Sequence, residues 1–214
     1  MKLVYVGDPM CSWCYGFGKE LTELTERHPD LAVEIVVGGL RAGATDVLDE
    51  AGKQFRLLHW ARVEAASGLP FNREGLMARE NFVYDTEPIC RAVVTARILA
   101  PEADLLAVFR ALQHGFYVAA VDTTDGRILS RLATDALALD GHAIDADAFY
   151  QVWSEDSTIA AARSDFRRAR ALGVQSFPTL FLEKDGELMN LSPGYVSVDE
   201  LDASLQSILQ SALH

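Results

Sequence analysis

The chain has 214 residues, half of them hydrophobic, and carries a formal net charge of −12 at pH 7. This length and hydrophobicity allow a sizeable core, in one enlarged domain or in two small ones. The acidic balance argues against nucleic-acid binding, which needs clustered Lys and Arg. The three cysteines are too few for a disulfide framework, and their odd number favours a reducing compartment.

The sequence gives no indication of a membrane segment or a secretion signal. No stretch approaches the roughly 20 apolar residues of a membrane-spanning helix. The apolar run Leu3–Val6 near the N-terminus is too short for a signal peptide. We therefore expect a cytoplasmic protein with neither a membrane nor a nucleic-acid partner.

The first 37 residues predict a strand–helix–strand unit. Leu3–Val6 is typical of a buried strand, a helical pattern follows over about Cys11–Arg27, and Leu31–Val37 predicts a second strand. Such a unit implies two parallel strands joined by a right-handed crossover. Ligands and chemistry usually lie where a strand leads into its helix, and this junction holds Cys11 and Cys14.

Helical patterns follow one another from about Thr45 to Ala171, with no linker rich in Pro, Gly or Ser. Apolar residues at helical spacing predict six helices. Their approximate ranges are Val47–Ala66, Glu87–Ala100, Pro101–Val118, Asp125–Leu139, Asp145–Trp153 and Ser157–Leu172.

The strand pattern returns after Gly173. Ser176–Glu183 and Leu188–Leu191 predict two strands joined by a hairpin turn, and Val198–Leu213 predicts a last helix. The predicted fold class is therefore α/β, with a helical segment between a βαβ half and a ββα half.

The main functional candidate is the Cys-x-x-Cys pair of Cys11 and Cys14. A helix that begins at Cys11 directs its unpaired N–H groups and its positive dipole end at the first sulfur, which favours thiolate over thiol. The second cysteine lies one helical turn away, close enough to form a disulfide. These features indicate a dithiol–disulfide redox site. The alternatives are half of a zinc site or two inert core cysteines.

A zinc site is disfavoured, because structural zinc needs four ligands and the chain has a single Cys-x-x-Cys pair, with no histidine at metal-ligand spacing. We expect no metal. Cys90 lies within an apolar helical face and is predicted to be buried and inert, and a regulatory disulfide with the pair has no support in the sequence. Asp8 either tunes proton transfers of the pair or is a plain helix cap.

Three segments together resemble the DsbA family. Residues 8–17 read DPMCSWCYGF and are similar to the DPMCSWCWGF typical of its cytoplasmic FrnE-like branch of predicted disulfide isomerases. Residues 86–92 (TEPICRA) and 173–179 (GVQSFPT) also resemble that branch. The resemblance implies a thioredoxin-like domain made of residues 1–44 and 172–214, with a helical domain of residues 45–171 inserted into it.

The resemblance also implies an activity, thiol–disulfide exchange on cysteine-containing proteins or peptides. In this family Cys11 would be the attacking thiol and Cys14 would resolve the mixed disulfide. No bound cofactor is implied, and glutathione or another thiol would reset the site.

A third implication concerns Pro178, which would follow a cis peptide bond and hold the Phe177 backbone beside the sulfurs, ready to pair with an extended substrate. The ordinary interpretation of Pro178 is a proline at a strand edge. The residues implied in substrate binding are Ser12, Trp13, Phe177, Pro178 and Thr179. Trp13 could shield the sulfurs or simply lie half-buried against the helical block.

The dipeptide between the cysteines departs from the periplasmic oxidant of this family, which has Pro-His where this chain has Ser12 and Trp13. An imidazolium beside the thiolate is missing, so one stabiliser of the reduced form is absent. We expect a reduction potential below the oxidant's value of about −120 mV and nearer to thioredoxin's value of about −270 mV.

A second class of enzyme fits the same architecture. Kappa-class glutathione transferases and 2-hydroxychromene-2-carboxylate isomerases also carry inserted helices and bind glutathione near the same loop. They usually have a serine at the site and lack the second cysteine. The presence of both Cys11 and Cys14 argues against this alternative.

Overall fold

The computed structural model describes residues 1–211, which form a four-stranded mixed sheet surrounded by helices. The strands are β1 (Lys2–Gly7), β2 (Ala32–Val37), β3 (Thr179–Lys184) and β4 (Glu187–Ser192), in the order β2-β1-β3-β4. β1 and β2 pair in parallel, whereas β1–β3 and β3–β4 pair antiparallel. The predicted parallel βαβ unit, the return hairpin and the α/β class are confirmed.

The helices are numbered in chain order. They are α1 (Ser12–Arg27), α2 (Glu50–Ser67), α3 (Arg73–Met77), α4 (Glu87–Leu99), α5 (Leu105–Tyr117), α6 (Gly126–Leu139), α7 (Ala146–Trp153), α8 (Asp156–Ala171) and α9 (Val198–Ser211). Every predicted helix is present, and the short α3 is an addition that the sequence pattern did not indicate. The predicted end of the last helix at Leu213 lies outside the described residues.

Aspartate side chains cap the N-termini of several helices, and one such cap places the start of α5 later than the sequence predicts. The helix predicted to open at Pro101 begins four residues later, at Leu105. The Asp104 carboxylate accepts hydrogen bonds from the backbone N–H groups of Leu106 and Ala107, which would otherwise lack partners. The prediction was wrong because a proline at the first helical position is a weaker start signal than a side-chain cap of this geometry.

The third strand also begins later than predicted. Thr179 is its first residue and pairs with Val6, so Ser176, Phe177 and Pro178 precede the strand as a loop. Because β1 and β3 are antiparallel neighbours, the start of β3 lies beside the end of β1. This loop therefore lies next to the residues that follow β1.

A continuous buried cluster joins the sheet to the helices. The Tyr5 ring on β1 lies 5.9 Å from the Phe17 ring of α1 and 5.4 Å from the Phe109 ring of α5, measured between centroids. The division into domains of residues 1–44 with 172–214 and of residues 45–171 stays a prediction. Within residues 1–211, no helix is both long and apolar enough to cross a membrane.

An ion-pair group ties α8 to the sheet. The Glu34 carboxylate on β2 lies 2.8 Å from the Lys2 ammonium of β1 and also pairs with the guanidinium of Arg168 on α8. Arg168, and to a smaller extent Lys2, lowers the pKa of Glu34 to about 2, against the opposing effect of partial burial. A carboxylate with a lowered pKa stabilises the fold above its unfolded-state pKa, and this stabilisation is lost as the pH falls through the folded-state value.

We predict that Glu34→Gln lowers the free energy of unfolding at pH 7 by about 1–2 kcal/mol, a value reduced for partial solvent screening. The difference from wild type should shrink between about pH 4.5 and pH 2, as the wild-type carboxylate becomes protonated. Urea unfolding across this pH range measures it. Glu26→Gln, at an exposed position of α1, is the matched control. A deficit that is the same at pH 7 and pH 2 would contradict the ionic origin.

Candidate active site

The first cysteine lies where the loop after β1 turns into α1. Cys11 is the N-cap residue of α1, and its backbone N–H donates to the Asp8 carbonyl oxygen at 3.0 Å. The side chain is 8% exposed and lines a cavity that opens beside it. Cys11 therefore stands at the start of α1, as the sequence predicted, although its sulfur accepts no hydrogen bond from the N–H groups of the first helical turn.

The loop before β3 reaches the same place. The Cys11 thiol donates to the Phe177 carbonyl oxygen at 3.6 Å, across 166 residues of sequence. The Phe177–Pro178 peptide bond is cis. The predictions of a cis bond at Pro178 and of the Phe177 backbone beside the sulfur are thus confirmed. Gly38 makes room for this loop, since a Cβ atom there would lie only 2.2 Å from the Phe177 ring.

The second cysteine lies deeper. Cys14 has no exposed surface, and its sulfur accepts a hydrogen bond of 3.5 Å from the Asp8 backbone N–H. Burial, and next the interaction with Cys11, raises the pKa of the Cys14 thiol well above its ordinary value. The arrangement therefore separates an outer sulfur that substrate can reach from an inner one held as a thiol. None of the three cysteines is in a disulfide.

The Asp8 carboxylate is fully buried beneath this loop. Its oxygens accept hydrogen bonds from the Met10 N–H at 2.8 Å and from the Leu40 N–H at 2.6 Å, and the Cys90 thiol lies 3.5 Å away. Burial raises the pKa of Asp8, and a hydrogen bond from Thr86 and those from the two N–H groups oppose the shift. The plain-cap interpretation is wrong, because no side-chain hydrogen bond caps α1.

Cys90 is fully buried on α4, as predicted, and its thiol donates to Asp8. Burial, followed by the charge of Asp8, raises the pKa of the Cys90 thiol well above its ordinary value. A thiol held in this way is a poor nucleophile. Its contact with Asp8 nevertheless makes it part of the support beneath the active loop.

The predicted substrate-binding residues divide into two groups. Ser12, Trp13 and Phe177 line the cavity. Pro178 and Thr179 are buried and do not line it, and the Thr179 hydroxyl donates to the Ser176 carbonyl oxygen at 2.8 Å.

Trp13 is half-buried, and its ring lies 5.6 Å from that of Tyr195, in the segment between β4 and α9. The Tyr195 hydroxyl lies 3.2 Å from a Glu20 carboxylate oxygen and 3.2 Å from the Ala66 carbonyl oxygen, and it can donate its one proton to either. Trp13 thus lines the cavity together with Cys11, and the ring that it contacts belongs to the ββα half of the chain.

The cavity beside Cys11 has a volume of about 460 Å³. The sequence pattern did not identify several of the residues that line this cavity, because they come from α2 and from the loops before α2 and α4. The lining residues that come from α2 and these two loops are Leu40, Arg41, Phe55, Arg56, His59, Trp60 and Tyr84. Over the described part of the chain, no three His, Cys, Asp or Glu side chains are grouped so that they could hold a metal ion.

Comparison with known proteins gives matches among solved structures, whereas family models and curated proteins return none. A candidate protein disulfide isomerase from Nitrosomonas europaea is 32% identical, with a TM-score of 0.88 over 99% of both chains. The cytosolic disulfide reductase DsbM from Pseudomonas aeruginosa is 27% identical, with a TM-score of 0.79 over 98% of this chain and 99% of that one. DsbM has also been solved with glutathione.

The fold and the thiol pair define a thiol–disulfide oxidoreductase built on a thioredoxin-like fold with a helical insertion. The similarity over the full length shows the family: the chain belongs to the DsbA-like thiol–disulfide oxidoreductases. A 2-hydroxychromene-2-carboxylate isomerase, 15% identical with a TM-score of 0.64 over 100% of this chain and 96% of that one, shares the fold alone.

The unequal burial of the three cysteines predicts selective alkylation. In the native reduced protein at pH 7, iodoacetamide should modify Cys11 and leave Cys14 and Cys90 intact, because only Cys11 lines the cavity. Mass spectrometry of the intact protein and of its peptides measures the stoichiometry and the position. Cys11→Ser should take up no label, whereas Cys90→Ala should label like wild type. Prompt modification of Cys14 in the folded protein would contradict the assignment of inner and outer sulfurs.

Proposed function

We propose that the chain exchanges thiols and disulfides through the Cys11–Cys14 couple, with the loop of Phe177 and Pro178 as the surface that meets the substrate. The observation that carries this proposal is the placement of the Cys11 sulfur. It lies at a helix start, lines the cavity and is 3.6 Å from the Phe177 carbonyl oxygen, whereas Cys14 is fully buried one helical turn further on.

The proposed reaction runs in two displacements. The Cys11 thiolate attacks a substrate disulfide, forms a mixed disulfide with one sulfur and releases the other as a thiolate, which takes up a proton. Cys14 then loses its proton and attacks Cys11, releasing the second substrate thiol and leaving a Cys11–Cys14 disulfide. Two electrons pass from the enzyme to the substrate, and two molecules of an external thiol restore the dithiol.

The raised pKa of Cys14 supports this order of events. A sulfur that stays protonated and buried cannot make the first attack, and it becomes a nucleophile once a mixed disulfide forms next to it. Trp13 and Phe177 flank Cys11 in the cavity and would hold the substrate's chain against the sulfur.

We propose reduction as the direction, glutathione as the resetting thiol and the cytoplasm as the location. The support is similarity to DsbM, which is described as a cytosolic disulfide reductase and has been solved with glutathione. The absence of an imidazolium between the two cysteines favours the same direction. Cysteine-containing proteins or peptides would be the substrates.

Trapping the mixed disulfide tests the proposal. Cys14→Ser, incubated with oxidised glutathione, should accumulate one glutathionyl group on Cys11, because no resolving thiol remains. Wild type should instead pass to an internal disulfide without retained glutathione, and Cys11→Ser should form no adduct. Intact-protein mass spectrometry after acid quenching distinguishes these products.

Two results would contradict the proposal. One is the absence of an adduct in Cys14→Ser. The other is conjugation of glutathione to an aryl halide at a rate that survives Cys11→Ser, which would favour the transferase or isomerase alternative.

A further inference from the structure

The cavity beside Cys11 carries basic side chains, although the chain as a whole has a net charge of −12. Arg41, Arg56 and His59 line it, and none of its described lining residues is Asp or Glu. The charged side chains that line the cavity are therefore basic, opposite in sign to the net charge of the whole chain. The volume of about 460 Å³ lies within the range of about 300–1,000 Å³ typical of small-molecule sites.

The two arginines differ in what neutralises them. The Arg41 guanidinium makes two hydrogen bonds of 2.9 Å to the Asp46 carboxylate, so its charge is already paired. Arg56 has no acidic partner among residues 1–211, and its guanidinium donates to the Gly52 carbonyl oxygen of its own helix at 3.0 Å. Arg56 thus retains donors and a positive charge for a ligand.

The position of Arg56 relative to the reactive sulfur is fixed by stacking. Its guanidinium lies 4.1 Å from the centroid of the Tyr84 ring. The Tyr84 hydroxyl in turn donates to the carbonyl oxygen of Met10, the residue before Cys11. A guanidinium held over a ring that is anchored to the active loop is pre-organised to receive a carboxylate.

Resting on the proposed function, we infer that Arg56 makes the site select small thiols and disulfides whose substituents carry carboxylates, as glutathione does. The carboxylate of the bound molecule would pair with the Arg56 guanidinium while its sulfur reaches Cys11. Pairing of arginine with carboxylate is directional and charge-assisted, so it discriminates against neutral and cationic substituents. Arg56 is then a specificity-determining residue and takes no part in the electron transfer.

The test compares three disulfides of different charge as oxidants of the reduced enzyme: oxidised glutathione (anionic), hydroxyethyl disulfide (neutral) and cystamine (cationic). In each case the enzyme dithiol becomes the Cys11–Cys14 disulfide and the probe yields two thiols. Rate constants from acid-quenched samples are divided by those of dithiothreitol with the same probe, which removes intrinsic reactivity. Wild type should favour oxidised glutathione over cystamine, whereas the net charge of −12 by itself favours cystamine.

Arg56→Gln should lower the normalised ratio of oxidised glutathione to hydroxyethyl disulfide about tenfold, which corresponds to about 1.4 kcal/mol. Arg56→Lys keeps a charge and should retain part of the preference. Arg62→Gln removes the same charge from an exposed position of α2 outside the cavity, and its ratio should equal that of wild type. Circular dichroism and thermal unfolding show whether each variant is folded.

The outcomes separate this inference from the proposed function. If none of the three probes oxidises the Cys11–Cys14 pair of wild type, the proposed function fails. If all oxidise it but wild type prefers cystamine, or if Arg56→Gln and Arg62→Gln change the ratio equally, the inference about Arg56 is overturned while thiol exchange stands.

Discussion

The buried Asp8 carboxylate is the constraint on which the active site depends. It receives hydrogen bonds from the loop that leads to Cys11, through the Met10 N–H, and from the segment after β2, through the Leu40 N–H. Its contact with the Cys90 thiol links both to the helical block. A buried carboxylate is costly unless it is satisfied in this way, so the three segments must come together for the loop to form.

This support explains how one short motif holds two sulfurs in different states. The hydrogen bonds of Asp8 hold the loop in place. Cys11 then lines the cavity, whereas Cys14, one helical turn further on, is buried in the core. The cost of burying a charge then falls on Cys14, whose pKa rises. Cys11, in contrast, stands at the start of α1, and its thiol donates to the Phe177 carbonyl oxygen. The proposed roles of Cys11 as the attacking thiol and of Cys14 as the resolving thiol follow from this difference in environment.

The sequence predicted what local patterns determine, and it missed what packing brings together. The strands, most of the helices and the Cys-x-x-Cys at a strand–helix junction follow from periodicity and spacing. Only the family resemblance predicts that Pro178 belongs to the site, since 163 residues lie between Cys14 and Pro178 in the sequence. The contact between Asp8 and Cys90 joins residues 82 positions apart, and Arg56 reaches the cavity through the docking of α2. No periodicity encodes either contact.

The reduction potential of the Cys11–Cys14 pair tests the central claim most directly. Ser12 and Trp13 supply no positive charge between the sulfurs, and within the described residues no cationic side chain forms a hydrogen bond or an ion pair with the Cys11 sulfur. Equilibration with glutathione redox buffers, followed by acid quenching and mass analysis, gives the value. The account predicts a reversible Cys11–Cys14 disulfide with a potential far below about −120 mV and nearer to about −270 mV. A potential near about −120 mV, or the failure of the two cysteines to form a disulfide with each other, would contradict it.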